Sequence, residues 1–486
     1  MKRQSLLGSR SILMPSALLV LIVFSISAFS QQGTSSVRGL VTDQQGNVVA
    51  GATVTLVNPA TNSSRTATTS DNGGYSFESV SPGDYRLEVE AKGFKKAAIT
   101  NVHALVSKAT PVDVVLEIGN VAETVTIASG SGEVLVNHDD ATLGNNFVNQ
   151  QITQLPLEAR NVLSLVTLQP GVTPQGYVTG ARSDQSNITL DGIDINEAQT
   201  NSINSPVLRL NSEAIEEFRV TTSNANADQG RSSGAQISLI TKSGTNDWHG
   251  ALFEAHRNTI FTANDFFNNR NGRFIATDSN VILGQNKVGD LRNPRPKLLR
   301  NTFGGALGGP IVKDRFFFFY SYEGRRDAAE QTVVRVVPLA SMGRGELRYV
   351  NAGGGITALT AAQVNTIFST NGNTVGTNPL AAAALAQAAA KYPANDFTVG
   401  DSKFETQLNT AGFRFNASVP VSLNSHTARL DLNLTSKQIV FLRANVISDH
   451  FGVAPRFPVT PAPTNWSHPW GFVAGHSWTI SNTLVN

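Results

Sequence analysis

Four short patterns in this chain carry residue types that could do chemistry, and each fails on its surroundings. Gly230-Arg231-Ser232-Ser233-Gly234 has the G-x-S-x-G spacing of a serine nucleophile. That reaction needs a strand, a sharp elbow and a helix that lifts the serine onto an oxyanion hole, with an acid–histidine pair behind it. Here the residues that follow, Gln236 to Thr241, alternate like a strand, and no acid–histidine pair is evident. The eight histidines include no H-E-x-x-H and no H-x-x-E, so the zinc-peptidase pattern is missing. Asp191-Gly192-Ile193-Asp194 offers two carboxylates, but the glycine and terminal glutamate of an EF-hand loop are not there, and the acids read as caps of a turn. Gly304-Gly305 and Gly308-Gly309 are not followed by Lys-Ser/Thr, so they form no phosphate loop and suit instead a close approach between a barrel strand and a plug inside it. With no cysteine, disulfides, thiolate metal sites and thiol nucleophiles are excluded as well. The expectation is a protein with no catalytic residues, no metal ligands and no cofactor.

One further pattern points to binding rather than bond chemistry. Glu123-Thr124-Val125-Thr126-Ile127 is an acidic residue followed by an alternating, β-prone run. An extended segment of this kind can add as a strand to the edge of a partner's sheet. The same five residues also read as an ordinary structural strand.

The elements around these patterns are mostly strands. Charged residues make up only 15% of the 486 residues and glycine is plentiful at 41. That combination suits a β-rich chain whose surfaces do not all meet water, since soluble proteins average about 25% charged. A net charge of +2 with no clustered basic face argues against nucleic acid as a partner. Lys2, Arg3 and Arg10 precede an apolar run from Ser16 to Phe29, and Ala28-Phe29-Ser30 before Gln31 supplies small residues at the cleavage offsets. Residues 1–30 therefore read as a cleavable signal peptide, the alternative being an uncleaved membrane anchor.

Between Ser36 and Ile118, short alternating strands are broken by Asp43-Gln44-Gln45-Gly46-Asn47, Asp71-Asn72-Gly73-Gly74 and Ser81-Pro82-Gly83-Asp84. This is the spacing of a β-sandwich, with Tyr75 and Phe77 on one face and Tyr85, Leu87 and Val89 on another. Residues 119–131 form a linker that carries the Glu123–Ile127 segment. From 132 to 246 helix and strand mix, with one helical run from Ile152 expected to end at Leu168-Gln169-Pro170-Gly171.

After Trp248 come longer alternating strands: 248–257, 301–309, 315–325, 426–435, 438–448 and 470–480, with another beginning at Thr483. In the fourth, Ala428, Leu430, Leu432 and Leu434 share one face while Arg429, Asp431 and Asn433 share the other. The length suits a transmembrane barrel strand of about 9–11 residues. Connections alternate short and long, as periplasmic turns and extracellular loops do. In the longest of them Thr332 to Val337 and Phe413 to Val419 suit a hairpin, Thr360-Ala361-Ala362-Gln363 is a capping box, and Asn378-Pro379 opens an alanine-rich helix. Phe316 to Tyr320 and Tyr322 supply aromatics to both faces of the third strand, one suited to an interfacial girdle. Six complete strands cannot close a receptor barrel of about 22 strands, so a partial sequence is expected.

Two resemblances follow from these motifs. Val37-Arg38-Gly39, Asp43, Gly46, Gly51-Ala52, Thr69, Asp71, Gly74-Tyr75 and Tyr85 resemble the carboxypeptidase regulatory-like domain, which implies a seven-stranded sandwich without catalytic residues of its own. Leu155-Pro156-Leu157, Arg160-Asn161, Leu168 to Val172, Asn187 to Gly192, Ile215 to Val220 and Gly234 to Asn246 resemble, in that order, the plug of Oar-like TonB-dependent receptors. Ala263 to Asn268, Phe303 to Pro310, Lys313-Asp314-Arg315 and Tyr322-Glu323-Gly324 resemble the barrel entrance of the same branch. The fold expected is mainly β: an Ig/transthyretin-like sandwich (36–118), an α+β plug domain (132–246) and part of a transmembrane β-barrel (247–486). The resemblance implies a Gram-negative outer-membrane receptor, with sandwich and plug on the periplasmic and lumenal side. Its implied partners are TonB with its inner-membrane energising complex, engaging the box Glu123 to Ile127, and outer-membrane lipid. The implied ligand is small, with a siderophore, a peptide and a carbohydrate all left open. The alternative is a structural or adhesive surface protein that imports nothing.

Overall fold

The computed structural model describes residues 33–119, 124–128, 141–155, 160–197, 203, 206–226, 229–230, 232–266, 295–372, 376–401, 408–481 and 484–485. The expected signal peptide with its cleavage position, Glu123, Pro156-Leu157, Arg231, Phe267-Asn268 and Thr483 lie outside the described residues.

The first unit is a two-sheet sandwich. Its strands are β1 (Ser35–Asp43), β2 (Thr53–Val57), β3 (Ser64–Thr68), β4 (Gly74–Val80), β5 (Gly83–Glu90), β6 (Lys96–Ala104), β7 (Ala109–Pro111) and β8 (Val114–Leu116). One sheet runs β4-β1-β7 with β8 also on β1, and the other runs β3-β2-β5-β6. β7 and β8 lie parallel to β1 on either side of Val112-Asp113, so they act as one interrupted strand. Alternation in the sequence becomes burial: Val54, Leu56, Tyr75, Phe77, Tyr85, Leu87 and Val89 share the core between the sheets. The turns are closed by their own side chains. Asp43 accepts the backbone N–H groups of Gln45 and Asn47, and Gly73 takes a φ of +74° that a Cβ would oppose. A ninth strand, β9 (Thr124–Ala128), adds to the free edge of β6.

The second unit is the plug. Its strands β10 (Leu143–Val148), β11 (Asn187–Leu190), β12 (Ile193–Asp194), β13 (Ile215–Ser223) and β14 (Gln236–Thr241) form one sheet in the order β10-β13-β14-β11-β12. Along the stretch expected to be one helical run, the described residues include an α-helix Asn149–Gln154 and a separate 3-10 helix Val162–Leu168. The break has a local cause. Leu155 precedes Pro156, which disfavours the helical region, and Leu155 sits extended at φ −69°, ψ 138°. Asn161 restarts the chain by accepting the N–H of Leu163. Val162, Leu163, Leu165 and Val166 then pack on the sheet together with Phe147 and Phe218, whose rings stack at 4.5 Å.

The third unit is a curved antiparallel wall. β15 (His249–Asn258), β16 (Leu298–Val312), β17 (Phe316–Pro338), the loop strands β18 (Leu347–Val350), β19 (Ile356–Leu359), β20 (Asp396–Gly400) and β21 (Thr410–Ser418), then β22 (Val421–Thr435), β23 (Gln438–Gly452), β24 (Thr464–Ser467), β25 (Trp470–Ser481) and β26 (Leu484–Val485) follow in chain order. Neighbours along the wall are β15-β16-β17-β22-β23-β25-β26. The wall strands reach 15 to 23 residues in β16, β17, β22 and β23, beyond the expected bounds, because their outer ends continue past the lipid-sized band. β17 keeps going to Pro338 and pairs there with β21, so Thr332 to Val337 forms a hairpin standing on the long-loop end. That loop also holds helices Ala361–Thr370, capped by Thr360, and Pro379–Lys391, capped by Asn378.

Parity along the wall separates two faces. On β22, Ser425, Thr427 and Arg429 are buried, while Ala428 and Leu434 are exposed. On β17, Phe317 and Phe319 point to the plug side, and Phe316, Phe318, Tyr320 and Tyr322 to the other. On β25, Trp470, Phe472, Trp478 and Ile480 face outward. Trp470 and Trp478 lie eight residues apart, roughly 26 Å along the strand at about 3.3 Å per residue, which at a barrel tilt of about 40° rises about 20 Å, most of an apolar band of about 25 Å. No helix among the described residues is long and apolar enough to cross a membrane. The glycine pairs of β16 serve neighbouring strands rather than the plug. A Cβ at Gly304 would stand 2.2 Å from the Tyr322 carbonyl oxygen and 2.8 Å from Phe253, and one at Gly309 would meet the Trp248 ring at 2.9 Å.

Candidate functional site

Of the five residues expected to form a box, the structure describes Thr124 to Ile127 and makes them a strand. β9 runs parallel to β6, with Thr124 opposite Lys96, Val125 opposite Ala97, Thr126 opposite Ala98 and Ile127 opposite Ile99. One edge of β9 is therefore used by the sandwich. Among the described residues the second sheet runs β3-β2-β5-β6-β9, so the other edge of β9 is its end.

The most heavily charged buried geometry lies where plug meets wall, in two layers. In the first, Asp191 at the β11–β12 turn reaches two wall arginines: Arg443 Nε at 2.8 Å and Arg429 Nη1 at 3.2 Å. Asp191 has a φ of +49°, a turn conformation that Asp tolerates better than most residues. It also accepts the backbone N–H and the hydroxyl of Thr241, both at 2.9 Å. Asp191 and Arg443 side chains are 2% and 1% exposed, so this pair is dry. Arg429 has a second carboxylate, Asp431, at 2.9 Å, and donates to the Thr241 carbonyl at 3.1 Å. Arg443 donates to the Leu190 carbonyl and to Asn445. Register puts the two arginines opposite each other on β22 and β23. Two guanidinium groups side by side repel, so the Asp191 carboxylate between them is what makes the arrangement tenable.

The second layer lies four residues further along β17 toward the long-loop end. Glu323 takes Arg160 Nε and Arg209 Nη1 at 3.4 Å each, and Arg209 Nη2 reaches Asp449 at 3.0 Å. Arg160 is shared with Glu213 at 2.8 Å and its guanidinium lies 4.0 Å from the centre of the Phe253 ring. Asn211 of the plug donates to Ser321 of the wall at 2.8 Å. Here plug arginines meet wall carboxylates, the reverse of the first layer. Apolar contact between the two units is present as well, since Ile447 of β23 joins the plug core.

None of these partners was singled out as a site from the sequence. Asp191 reads in the sequence as a turn cap, but its carboxylate bonds instead to Thr241 at the end of β14 and to the wall arginines, and Arg429 and Asp431 read only as a polar strand face. The available signal was charge on the buried-facing positions of leucine-rich strands, an expensive placement that calls for a partner. Ser232, by contrast, is spent in a turn: its Oγ lies 2.6 Å from the Gln185 carbonyl and accepts the Gly234 N–H at 3.0 Å. Among the described residues no group of three or more His, Cys, Asp or Glu side chains is arranged to hold a metal.

Comparison with known proteins agrees with this architecture. Residues 240–486 match the outer membrane beta barrel domain and residues 36–117 the carboxypeptidase regulatory-like domain. The chain is 27% identical over 313 residues to the TonB-dependent transporter Oar of Myxococcus xanthus, covering 62% of this chain and 27% of that protein. It thus spans about a quarter of the length of the curated relative it matches. Among solved structures it is similar to the outer membrane transporter YddB of Escherichia coli, at 10% identity, TM-score 0.39, and 70% and 37% of the two chains. It is also similar to the siderophore receptor PirA of Acinetobacter baumannii, at 14% identity, TM-score 0.31, and 70% and 46%.

Proposed function

From the premise that this chain belongs to the outer membrane beta barrel family, we propose that it serves energy-coupled uptake of a small ligand across the outer membrane. In this reading the long-loop end faces outside, the short-turn end faces the periplasm, and residues 1–30 direct export. Ligand binds the outer loops and the plug. TonB, driven by its inner-membrane complex, engages Glu123 to Ile127, and the work it delivers opens a path beside or through the plug. The ligand is a siderophore, a peptide or a carbohydrate.

One observation carries the proposal: the plug is tied to the wall chiefly by ion pairs and hydrogen bonds, in two layers. Such contacts hold position strictly, yet buried pairs add little net stability because desolvation offsets attraction. Water entering a loosened interface restores that solvation, so the plug can shift without exposing a large apolar core. A domain meant to stay would be held better by apolar packing.

The folded pieces of the long loop, with the β17–β21 hairpin and two helices, favour a second reading as an adhesive or structural surface protein. Deletion of residues 123–127 from the full-length protein separates the two. Ligand uptake by energised cells is expected to stop while surface expression stays unchanged. Retention of surface adhesion with no uptake before or after the deletion would favour the second reading.

A further inference from the structure

The sandwich does not hang free of the other units; it touches both, at the short-turn end. Asn62, in the β2–β3 turn, donates from Nδ2 to Asp314 Oδ1 at 2.9 Å, in the β16–β17 turn of the wall. Asn246, just after the plug, donates to the same oxygen at 2.7 Å and sends its backbone N–H to the Ala60 carbonyl at 2.8 Å. Asp314 returns its own N–H to Asn246 Oδ1 at 2.8 Å. On the other side, the buried Glu217 carboxylate of β13 accepts the Val106 N–H of the sandwich at 3.2 Å and the Asn146 amide at 2.6 Å. Between these two attachments lies a cavity of about 420 Å³. Its walls are Asn58 and Arg65 of the sandwich, Asp191 and Ser243 of the plug, and Arg429 and Asp431 of the barrel wall. The Arg429–Asp431 side of the first layer therefore borders a space whose far side is the sandwich, with the Asp191–Arg443 pair closed off behind it. A volume of that size falls within the roughly 300–1,000 Å³ of small-molecule sites.

We propose that the sandwich is a removable floor for the plug: docked through Asn62–Asp314 and Val106–Glu217, it narrows the exit beneath the Asp191–Arg429 contact and swings aside to release what passes. The direction of passage rests on the uptake reading above. The polar attachments are confined to turns and loops, beside a small apolar contact in which Ile240 of the plug lies close to Gly33 at the start of the sandwich, and neither hydrophobic core spans the joint. β9 strengthens the assignment, because a pull on residues 124–128 acts on the edge strand of this same sandwich before it acts on the plug.

These 486 residues contain no cysteine, so in the full-length protein only thiols outside them need replacing before the test. Ser243→Cys places one thiol on the cavity, and its labelling by a small maleimide and by a bulky polyethylene-glycol maleimide is compared in outer-membrane vesicles open to the periplasmic side. With the sandwich docked, the bulky reagent should lag far behind the small one. Adding Asn62→Asp sets two carboxylates against each other and should raise the bulky-to-small ratio at least fivefold; adding Asp314→Asn as well restores a donor–acceptor pair and should return the ratio. A ratio unchanged by Asn62→Asp, or not rescued by Asp314→Asn, overturns the floor. In energised cells carrying TonB the ratio should rise without any contact substitution. A rise with Asn62→Asp but none on energising upholds the floor and overturns the uptake reading it rests on.

Discussion

Replacing Asp191 by asparagine removes one charge and almost no volume, and it strikes the driest point of the plug–wall contact. Arg443, 1% exposed, loses the carboxylate 2.8 Å from its Nε, and keeps only the Leu190 carbonyl and Asn445. Arg429 is less affected, because Asp431 remains 2.9 Å away. Stranding a buried charge by removing its partner costs about 3–5 kcal/mol. Residual hydrogen bonds to Arg443 and the retained Asp431 pair put Asp191→Asn at the lower end, about 3 kcal/mol. Since about 1.4 kcal/mol is a factor of ten in an equilibrium, plug release should become more than a hundredfold more favourable. The assay is urea-induced plug release in the full-length protein, followed by protease cleavage within 143–241 while the barrel stays heat-modifiable. Arg443→Met alone should cost less, because it leaves Asp191 paired with Arg429. The double variant should then show a coupling energy of at least about 1.5 kcal/mol in a mutant cycle. Purely additive effects below about 0.5 kcal/mol each would refute the reasoning, since the contact would then not hold the plug.

Burial pushes the Glu217 carboxyl up to about 7 from 4.5, despite the Asn146 amide and Val106 N–H that favour its charged form. The folded state therefore binds the proton more tightly, and this contribution to plug folding stability is complete below about pH 4.5 and declines as pH rises toward 7, by at most about 3 kcal/mol. Urea denaturation of the plug across that range should show the decline, and Glu217→Gln should flatten it. Leu442 faces outward opposite Ala474, midway between Trp470 and Trp478; Leu442→Arg should cost about 2–4 kcal/mol in vesicle refolding, as a charge at mid-bilayer does. Phe218, fully buried and stacked on Phe147, should lose about 3–5 kcal/mol of plug stability on change to alanine, read as a lower urea midpoint.

Local signals in the sequence carried most of the architecture. Two-residue alternation in Ala428 to Leu434 identifies both faces of β22, and turn residues such as Asp43 and Gly73 mark the sandwich strands. Element ends were harder. The alternating stretch 315–325 gives β17 only in part; the strand continues through the polar residues Asp327, Glu330 and Gln331 because β21 supplies backbone partners from Glu330 onward. Apolar spacing after Ile152 runs on without a break, whereas Pro156 bars Leu155 from the helical region and ends the helix there. The charged layers were illegible for a different reason. Asp191 and Arg429 are 238 residues apart in the chain, and no spacing rule links a turn aspartate to an arginine on a distant strand. The strand character of Thr124 to Ile127 was readable, but its pairing with β6 was not.

The account stands on residues after Asn246 forming a lipid-embedded wall around the plug. A nitroxide scan of β25 from Trp470 to Ile480 in the full-length protein, reconstituted in bilayers, tests this most directly through collision rates with oxygen and with a water-soluble nickel chelate. Phe472, Ala474, His476 and Trp478 should show oxygen-rich, lipid-like exposure, and Val473, Gly475 and Ser477 should not, with a period of two. Uniformly water-accessible labels along the strand, or lipid contact without that period, would contradict it.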